Sequence, residues 1–204
     1  IMEHLELRPL STRQAGMNAG RALAELHRIT DGEFGWHRAN FIGSTPQFNA
    51  MRRTWPLFFA RQRLGPQLEL AKRQGHKGKF IADGERLAEK LPALLVDHQP
   101  GISLLHGDLW HGNAALDESD RLVLFDPAVY FGDREADLAM TELFGGFPVS
   151  MYAAYQKAAP LDAGAPSRRG LYRLHHLLNH FLLFGEAYRR ETERTAARLL
   201  SELR

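Results

Sequence analysis

The chain has 204 residues, of which 44% are hydrophobic and 25% are charged, with a formal net charge of +2 and no cysteine. This length allows one sizeable core in one or two domains, and the lack of cysteine excludes disulfides, thiolate metal sites and a thiol nucleophile. The small charge excess implies no nucleic-acid surface, and no apolar run reaches the roughly 18 residues that a membrane span needs. We therefore expect a cytoplasmic globular protein without a nucleic-acid or membrane partner.

The amino-terminal part is predicted to be a connector followed by a helix. Residues 1–10 read as the end of a strand running into a connector, and because they begin with Ile1 we expect the chain to start inside a fold. Ser11 and Gln14 fit a capping box, in which each side chain bonds a free backbone N–H of the first turn. The spacing of the leucines and alanines then predicts a helix over 11–30.

A long loop and two helices are predicted before residue 100. Residues 31–50 are rich in glycine, asparagine and aromatic residues, which is typical of a long ordered loop. A helix is expected over 54–74, interrupted at Gly65-Pro66 because proline lacks the N–H donor. Leucine spacing predicts another helix over 79–97.

Short β-like runs follow, and then more helices. ISLLHGD, NAALD and RLVLFD have strand character and are separated by turn residues. The pattern beyond Pro127 predicts helices at 134–144, 148–158, 167–187 and from 188 onward. The chain is therefore predicted to be α+β and mainly helical, with one small β-hairpin that carries the unusual residues.

Those unusual residues are concentrated in LLHGDLWHGN. His106, Asp108 and His111 have the ligand types of a zinc or iron site, although their spacing is not that of a helical metal motif. A second interpretation is a structural turn with His106 as a hydrogen-bonded core histidine. The third is a phosphoryl-transfer loop, in which Asp108 accepts the proton of the attacking hydroxyl and Asn113 binds a metal ion. It needs a second acid at the end of a neighbouring strand, and Asp126 supplies it in the order of the protein-kinase catalytic set, so order and spacing favour this third interpretation.

The stretch LLHGDLWHGN…VLFDPAVYFGDREADLAMTELFGGFP resembles the fructosamine kinase (ketosamine kinase) family, within the wider protein-kinase-like and aminoglycoside-phosphotransferase-like group. The resemblance extends to FGWHRANFIGSTPQ, WPLFFARQRLGPQLELA, KLPALL and LYRLHHLLNHFLLFG, and so covers nearly all of the chain. It implies the C-terminal lobe of a protein-kinase-like fold that uses ATP and Mg²⁺. The implied reaction is phosphorylation of a sugar hydroxyl on a ketoamine, either a small molecule or a glycated protein lysine.

The resemblance also implies roles for individual residues. Asp108 would be the catalytic proton acceptor, and Asn113 and Asp126 would hold the metal ion on the phosphates. The adenine would bind backbone groups of MEHLEL, and the implied ATP-binding residues are Glu3, His4 and Leu5.

Four other residues are candidates for substrate contact or for support of the loop. Trp110 could stack on a sugar or pack behind the loop, and His106 could support the same loop. Asp133 is expected to cap a helix that begins at Arg134, because aspartate is a preferred N-cap residue. Asp137 is a candidate for bracing the catalytic loop.

Two features depart from the family pattern. His111 stands where a small residue is expected in HGDLW-x-GN, and no Gly-rich loop with a strand lysine is found. We therefore expect residues 1–10 to be a hinge remnant and residues 11–204 to be the C-terminal lobe, with the N-terminal nucleotide lobe absent and this chain inactive by itself. A kinase for another acceptor, such as an aminoglycoside or choline, and a non-catalytic binding lobe stay open as alternatives.

Overall fold

A computed structural model describes residues 4–202 as a mainly helical α+β structure, as predicted. The helices are α1 Arg13–Leu26, α2 Trp55–Phe58, α3 Gly65–Arg73, α4 Lys79–Leu94, α5 Glu135–Thr141, α6 Val149–Ala158, α7 Ala165–Phe184 and α8 Arg189–Ser201. The strands are β1 Asn40–Ile42, β2 Thr45–Gln47, β3 Ser103–Leu105, β4 Ala114–Leu116, β5 Leu122–Leu124 and β6 Tyr130–Gly132.

Helix α1 is capped by Thr12 rather than by Ser11. The Thr12 hydroxyl accepts a hydrogen bond of 3.1 Å from the N–H of Ala15, while the Gln14 side chain donates to Asn18. The predicted capping box is therefore wrong, because threonine supplies the same capping chemistry one residue later.

Glycines allow α1 to lie directly against α6. A Cβ on Gly16 would lie 2.2 Å from Ser150 Oγ, and one on Gly20 would lie 2.2 Å from Met151 O. At Gly20 the obstacle is backbone, so only glycine fits, whereas at Gly16 the Ser150 side chain would have to move. The close packing brings His27, which follows α1, beside Tyr155 of α6, where the His27 Nδ1 lies 2.7 Å from the tyrosine oxygen.

Helical structure continues through Gly65-Pro66, where an interruption was predicted. Phe59–Leu64 form a π-helical segment between α2 and α3, and the Gly65 N–H donates to the carbonyl of Ala60, five residues earlier. The wider π turn accommodates the proline, which has no N–H and would clash in a regular turn. The predicted break is therefore wrong.

The strands form three separate antiparallel pairs: β1 with β2, β3 with β6, and β4 with β5. The pair β4–β5 is the predicted hairpin. The β1–β2 hairpin lies inside 31–50, where only a loop was predicted, so the expectation of one small hairpin is incomplete. Pairing of β3 with β6 brings the chain before the HGD motif next to the chain after Asp126.

The hydrophobic core has two parts. The larger part joins α2, α3, α4, α7 and α8 around Trp55, Phe59 and Phe181, all of which are buried. The second part lies between α1 and α6 and includes Leu109 of the motif and Leu138 of α5. No helix among residues 4–202 is long and apolar enough to cross a membrane.

Candidate active site

The loop that carries the HGD motif lies between β3 and β4, and its sharp turn depends on Gly107. Gly107 has φ +83°, and a Cβ there would lie 2.1 Å from the carbonyl oxygen of Ala128. The Ala128 N–H in turn donates to the carbonyl of His106 at 2.8 Å. The loop is thus packed backbone to backbone against the segment that follows Asp126.

His106 is a buried histidine with both ring nitrogens hydrogen-bonded. Its Nε2 lies 2.9 Å from the carbonyl of Phe125, and its Nδ1 accepts a hydrogen bond from the N–H of Asp108 at 3.2 Å. The side chain therefore ties the loop to the end of β5. Because both ring nitrogens are used in this way, His106 cannot also bind a metal ion, which removes the alternative interpretation of His106, Asp108 and His111 as a metal site.

Asp137 of α5 braces the loop from beneath. Its Oδ2 accepts a hydrogen bond of 2.7 Å from the His106 N–H, and its Oδ1 accepts one of 2.8 Å from the Gly107 N–H. The Nε2 of His27 lies 3.3 Å from Oδ2. Burial opposes ionisation of Asp137, yet hydrogen bonding and charge from His27, with smaller effects of His106 and Gly107, lower its pKa overall. A fixed negative charge thus holds the turn.

Asp108 lies at the mouth of the turn and is mostly buried. Burial, followed by the negative charges of Asp137 and Asp126, raises its pKa from 3.8 to about 6. A carboxylate with a raised pKa is a better proton acceptor than a free aspartate when it is ionised near neutral pH. The environment therefore suits Asp108 for general base chemistry.

Asn113 is buried and bonded within the same loop. Its side-chain Nδ2 donates to the backbone carbonyl of Asp108 at 2.9 Å, and its backbone carbonyl accepts from the Phe125 N–H at 3.2 Å. Because the nitrogen of the side chain is used inside the loop, the oxygen is the atom left to bind a cation. This orientation of the Asn113 side-chain amide is the one that a metal ligand requires.

Asp126 is exposed and has a left-handed backbone with φ +53°. Such a conformation is uncommon for residues other than glycine, although aspartate adopts it more readily than most, and it is found at functional sites. The fields of Asp126 and Asp108 act on each other, since the first raises the pKa of the second. Asp126, Asp108 and Asn113 are therefore brought into one site, with oxygen atoms of the type that Mg²⁺ prefers.

The predicted adenine-binding segment is only partly described. Glu3 lies outside the described residues, whereas His4 and Leu5 are exposed and outside any helix or strand. Arg8, three residues further on, pairs with Leu116 of β4 through two backbone hydrogen bonds of 2.8 Å. Arg8 is thus joined to the β4–β5 hairpin, whose first strand begins directly after Asn113.

The remaining predicted residues fall into two groups. Trp110 is half-buried with its ring over Gly112, and its ring centroid lies 4.9 Å from that of the exposed His111. Within residues 4–202, the Asp133 side chain forms no hydrogen bond with the catalytic loop. It accepts hydrogen bonds from Tyr172 and from the N–H of Glu135, the first residue of α5. Its predicted capping role therefore has a structural counterpart, although α5 begins one residue later than predicted.

A second charged cluster lies around His98. Within residues 4–202, His98, Glu135 and Asp162 are the only His, Asp and Glu side chains close enough together to share a metal ion. Arg168, however, donates to Glu135 at 2.9 and 2.5 Å and to Asp162 at 2.7 Å. Because a guanidinium already neutralises both carboxylates, we assign this cluster to an ion-pair network.

Comparison with known proteins decides the family. The sequence model described as "Fructosamine kinase" matches residues 1–202. The chain belongs to the fructosamine kinase family. Its resemblance to this family, inferred from the motifs, is therefore confirmed.

Individual relatives agree with this assignment. A Vibrio parahaemolyticus protein named as a ketoamine kinase is 42% identical over 98% of this chain and 69% of its own length. The protein-ribulosamine 3-kinase of Arabidopsis thaliana is 42% identical over 93% of this chain and 58% of its own. The chain thus spans 58% to 69% of the length of these two relatives.

Solved structures give the same fold. A structure from Thermobifida fusca assigned to fructosamine-3-kinase superposes with a TM-score of 0.90 and 38% identity, over 98% of this chain and 69% of that one. Choline kinase from Streptococcus pneumoniae superposes with a TM-score of 0.63 at 14% identity, over 99% and 69% of the two chains. The second likeness shows the fold alone, and the protein-kinase-like fold is confirmed.

Sequence reasoning missed several residues that support this candidate site. His27 was read only as part of a helix, and Asn40, Gln47 and Asn49 only as loop residues. All four have buried or half-buried polar side chains in the structure. The run NFIGSTPQFN offered one signal, because amides placed among aromatic residues have to find hydrogen-bond partners when the segment is packed.

Proposed function

We propose that this chain is the catalytic lobe of an ATP-dependent kinase that phosphorylates a sugar hydroxyl of ketosamines. The observation that carries the proposal is the loop in which Asp137 fixes the backbone around Asp108 while Asn113 and Asp126 offer oxygen ligands beside it. Membership of the fructosamine kinase family and the ketoamine and ribulosamine kinase names of the relatives support the acceptor class.

Asp108 would accept the proton of the attacking sugar hydroxyl. The backbone hydrogen bonds around His106 and Gly107 hold the loop in one position, so the carboxylate can orient the hydroxyl toward the transferred phosphoryl group. Trp110 has the exposure to contact a sugar ring from one side. Catalysis would rest on positioning and on neutralisation of charge rather than on a covalent intermediate.

Asn113 and Asp126 would hold Mg²⁺ on the phosphates of ATP. Both offer oxygen atoms, and the exposed carboxylate of Asp126 faces away from the core. Such an ion neutralises the negative charge of the phosphates. It would also offset the repulsion between Asp126 and Asp108 that raises the pKa of Asp108.

The nucleotide site requires more than these residues. We propose that residues 1–10 are the hinge, that residues 11–204 form the C-terminal lobe, and that an N-terminal lobe supplies the cover and the lysine for the phosphates. Backbone groups of Glu3, His4 and Leu5 would contact the adenine. Availability of ATP as the phosphate donor agrees with a cytoplasmic location.

The acceptor would be a free ketoamine or a glycated lysine on a protein. The experiment is a panel in which the full-length enzyme with ATP and Mg²⁺ is offered fructosyl-lysine, a glycated peptide, choline and an aminoglycoside. Transfer to the two ketoamines alone supports the proposal. Transfer to choline or the aminoglycoside alone, or none by folded protein, would overturn the ketosamine assignment.

A further inference from the structure

We propose that the β1–β2 hairpin is a clamp that fixes Asp126, with Asn40 and Gln47 as its positioning residues. The inference rests on the proposed function, because it assigns a purpose to the hairpin through the metal-binding role of Asp126. The hairpin pairs with no other strand among residues 4–202, and its buried face is polar at three of its four inward positions, Asn40, Thr45 and Gln47.

The clamp consists of side-chain amides bonded to the backbone just after Asp126. The Nδ2 of Asn40 donates to the carbonyl of Val129 at 2.8 Å, and the Nε2 of Gln47 donates to the carbonyl of Ala128 at 2.9 Å. These carbonyls belong to the second and third residues after Asp126. Each side-chain amide thus donates to a backbone carbonyl in a loop that lies outside the paired strands.

The two amides are themselves held in place. Gln47 Nε2 also donates to Asn40 Oδ1 at 2.9 Å, and Asn49 Nδ2 donates to the same oxygen at 2.9 Å. Asn49 Oδ1 accepts from Arg63 at 2.8 Å, and Arg63 is almost fully buried over the ring of Tyr130. The hydrogen-bond chain therefore runs from the π-helical segment through the hairpin to the loop.

The position of this clamp explains how Asp126 keeps its left-handed backbone. One side of the loop is held by the hydrogen bond from the Ala128 N–H to His106, in the catalytic loop, and the other side by Gln47 and Asn40. An uncommon conformation persists where the surrounding structure determines it from several directions. Without the amides, Asp126 would sample other conformations, and its carboxylate would bind a cation less tightly.

The test compares three hairpin variants in the full-length enzyme. Asn40→Asp keeps the shape of the side chain and its acceptor for Gln47, but it replaces the donor to Val129 with a carboxylate oxygen. Gln47→Leu removes both hydrogen bonds that Gln47 donates. Thr45→Val is the matched control, because Thr45 lies buried on the same face of β2 and its hydroxyl has no hydrogen-bond partner among the described residues.

Three measurements distinguish a loss of positioning at Asp126 from general destabilisation of the fold. Thermal unfolding establishes that each variant is folded, hydrogen exchange is followed in peptides covering residues 126–130, and Mn²⁺ binding is titrated by electron paramagnetic resonance with a non-hydrolysable ATP analogue. We expect Asn40→Asp and Gln47→Leu to exchange faster in 126–130 and to bind Mn²⁺ about tenfold more weakly, since buried carbonyls lose their donors. Thr45→Val should match the wild type in both.

Wild-type exchange and wild-type Mn²⁺ affinity in a folded Asn40→Asp variant would overturn the clamp, as would equal changes in Thr45→Val. An Asp126→Asn variant is measured alongside. If Asp126→Asn binds Mn²⁺ as well as the wild type, the proposed metal role fails on its own. Exchange at 126–130 then still decides whether the hairpin holds the loop.

Discussion

The side-chain nitrogen of Asn113 lies 2.9 Å from the backbone carbonyl of Asp108 and donates a hydrogen bond to it. Asn113, the proposed metal ligand, therefore holds the backbone of Asp108, the proposed base. It does so through its amide nitrogen, which cannot bind a cation, so its amide oxygen stays available to the metal ion. A substitution at one of the two positions will disturb the other, so their effects on catalysis should not be additive.

The stability of the metal-free protein should depend on the ionisation of Asp108. Burial raises its pKa from 3.8 to about 6, so its stabilising effect is complete below pH 3.8 and is lost as the pH rises through 6. Asp108→Asn should therefore raise the free energy of unfolding by about 2 kcal/mol at pH 7.5 in the presence of a chelator, and by much less at pH 4. Denaturant unfolding of both proteins at the two pH values measures this, and an equal difference at both would contradict it.

Asp137→Asn should loosen the catalytic loop. An amide can accept from one of the two backbone N–H groups that Asp137 now satisfies, and its own NH₂ would oppose the other. We expect a loss of about 3 kcal/mol in unfolding free energy, together with a lower kcat. Glu142→Gln is the matched control, because Glu142 forms partly exposed ion pairs with Arg169 and Arg173, worth about 1 kcal/mol or less. Equal losses in the two variants would show that Asp137 has no special bracing role.

Gly107→Ala should be among the most damaging single-methyl substitutions in the chain. The added Cβ would lie 2.1 Å from a backbone oxygen that cannot move aside, at a residue with φ +83°. We expect a loss of about 3 kcal/mol or more. Gly101→Ala is the control, because a Cβ there meets no heavy atom of the described chain within 4 Å. Thermal unfolding of both variants tests the difference, and a Gly107→Ala protein as stable as the control would refute the tight turn.

His176 should make the fold sensitive to acid. Burial lowers its pKa from 6.5 to about 3, so the folded protein keeps it neutral while the unfolded chain binds a proton below pH 6.5. Its contribution to stability is complete above pH 6.5 and is lost as the pH falls toward 3, at about 1.4 kcal/mol per pH unit. His176→Gln should reduce the slope of unfolding free energy against pH by this amount between pH 6 and 4. An unchanged slope would mean that His176 is charged in the fold.

The helices and the catalytic motif could be predicted because their signals are local. The spacing of leucines in α4 and of apolar residues in α7 follows from the period of a helix, and HGDLWHGN with Asp126 follows from the order of one reaction type. The predicted break at Gly65-Pro66 failed because a π-helical turn accommodates proline, and the hydrogen bonds of that turn depend on tertiary packing rather than on propensity.

The parts of the site that could not be predicted are long-range. The contact between His27 and Asp137 joins residues 110 positions apart, and the bond from Gln47 to Ala128 joins residues 81 positions apart. A single sequence shows that such residues are polar but not which partners they meet. The role of Asp137 was inferred only as a candidate, whereas the buried amides of the hairpin required the folded structure.

The most direct test of the central claim is phosphoryl transfer from ATP and Mg²⁺ to fructosyl-lysine by the full-length enzyme, beside its Asp108→Asn variant. We predict turnover by the wild type and a rate about a thousandfold lower in the variant, with nucleotide binding retained, because the variant loses the proton acceptor alone. Turnover by Asp108→Asn at the wild-type rate would remove Asp108 from catalysis. No turnover by folded wild-type protein would contradict the proposed ketosamine kinase activity.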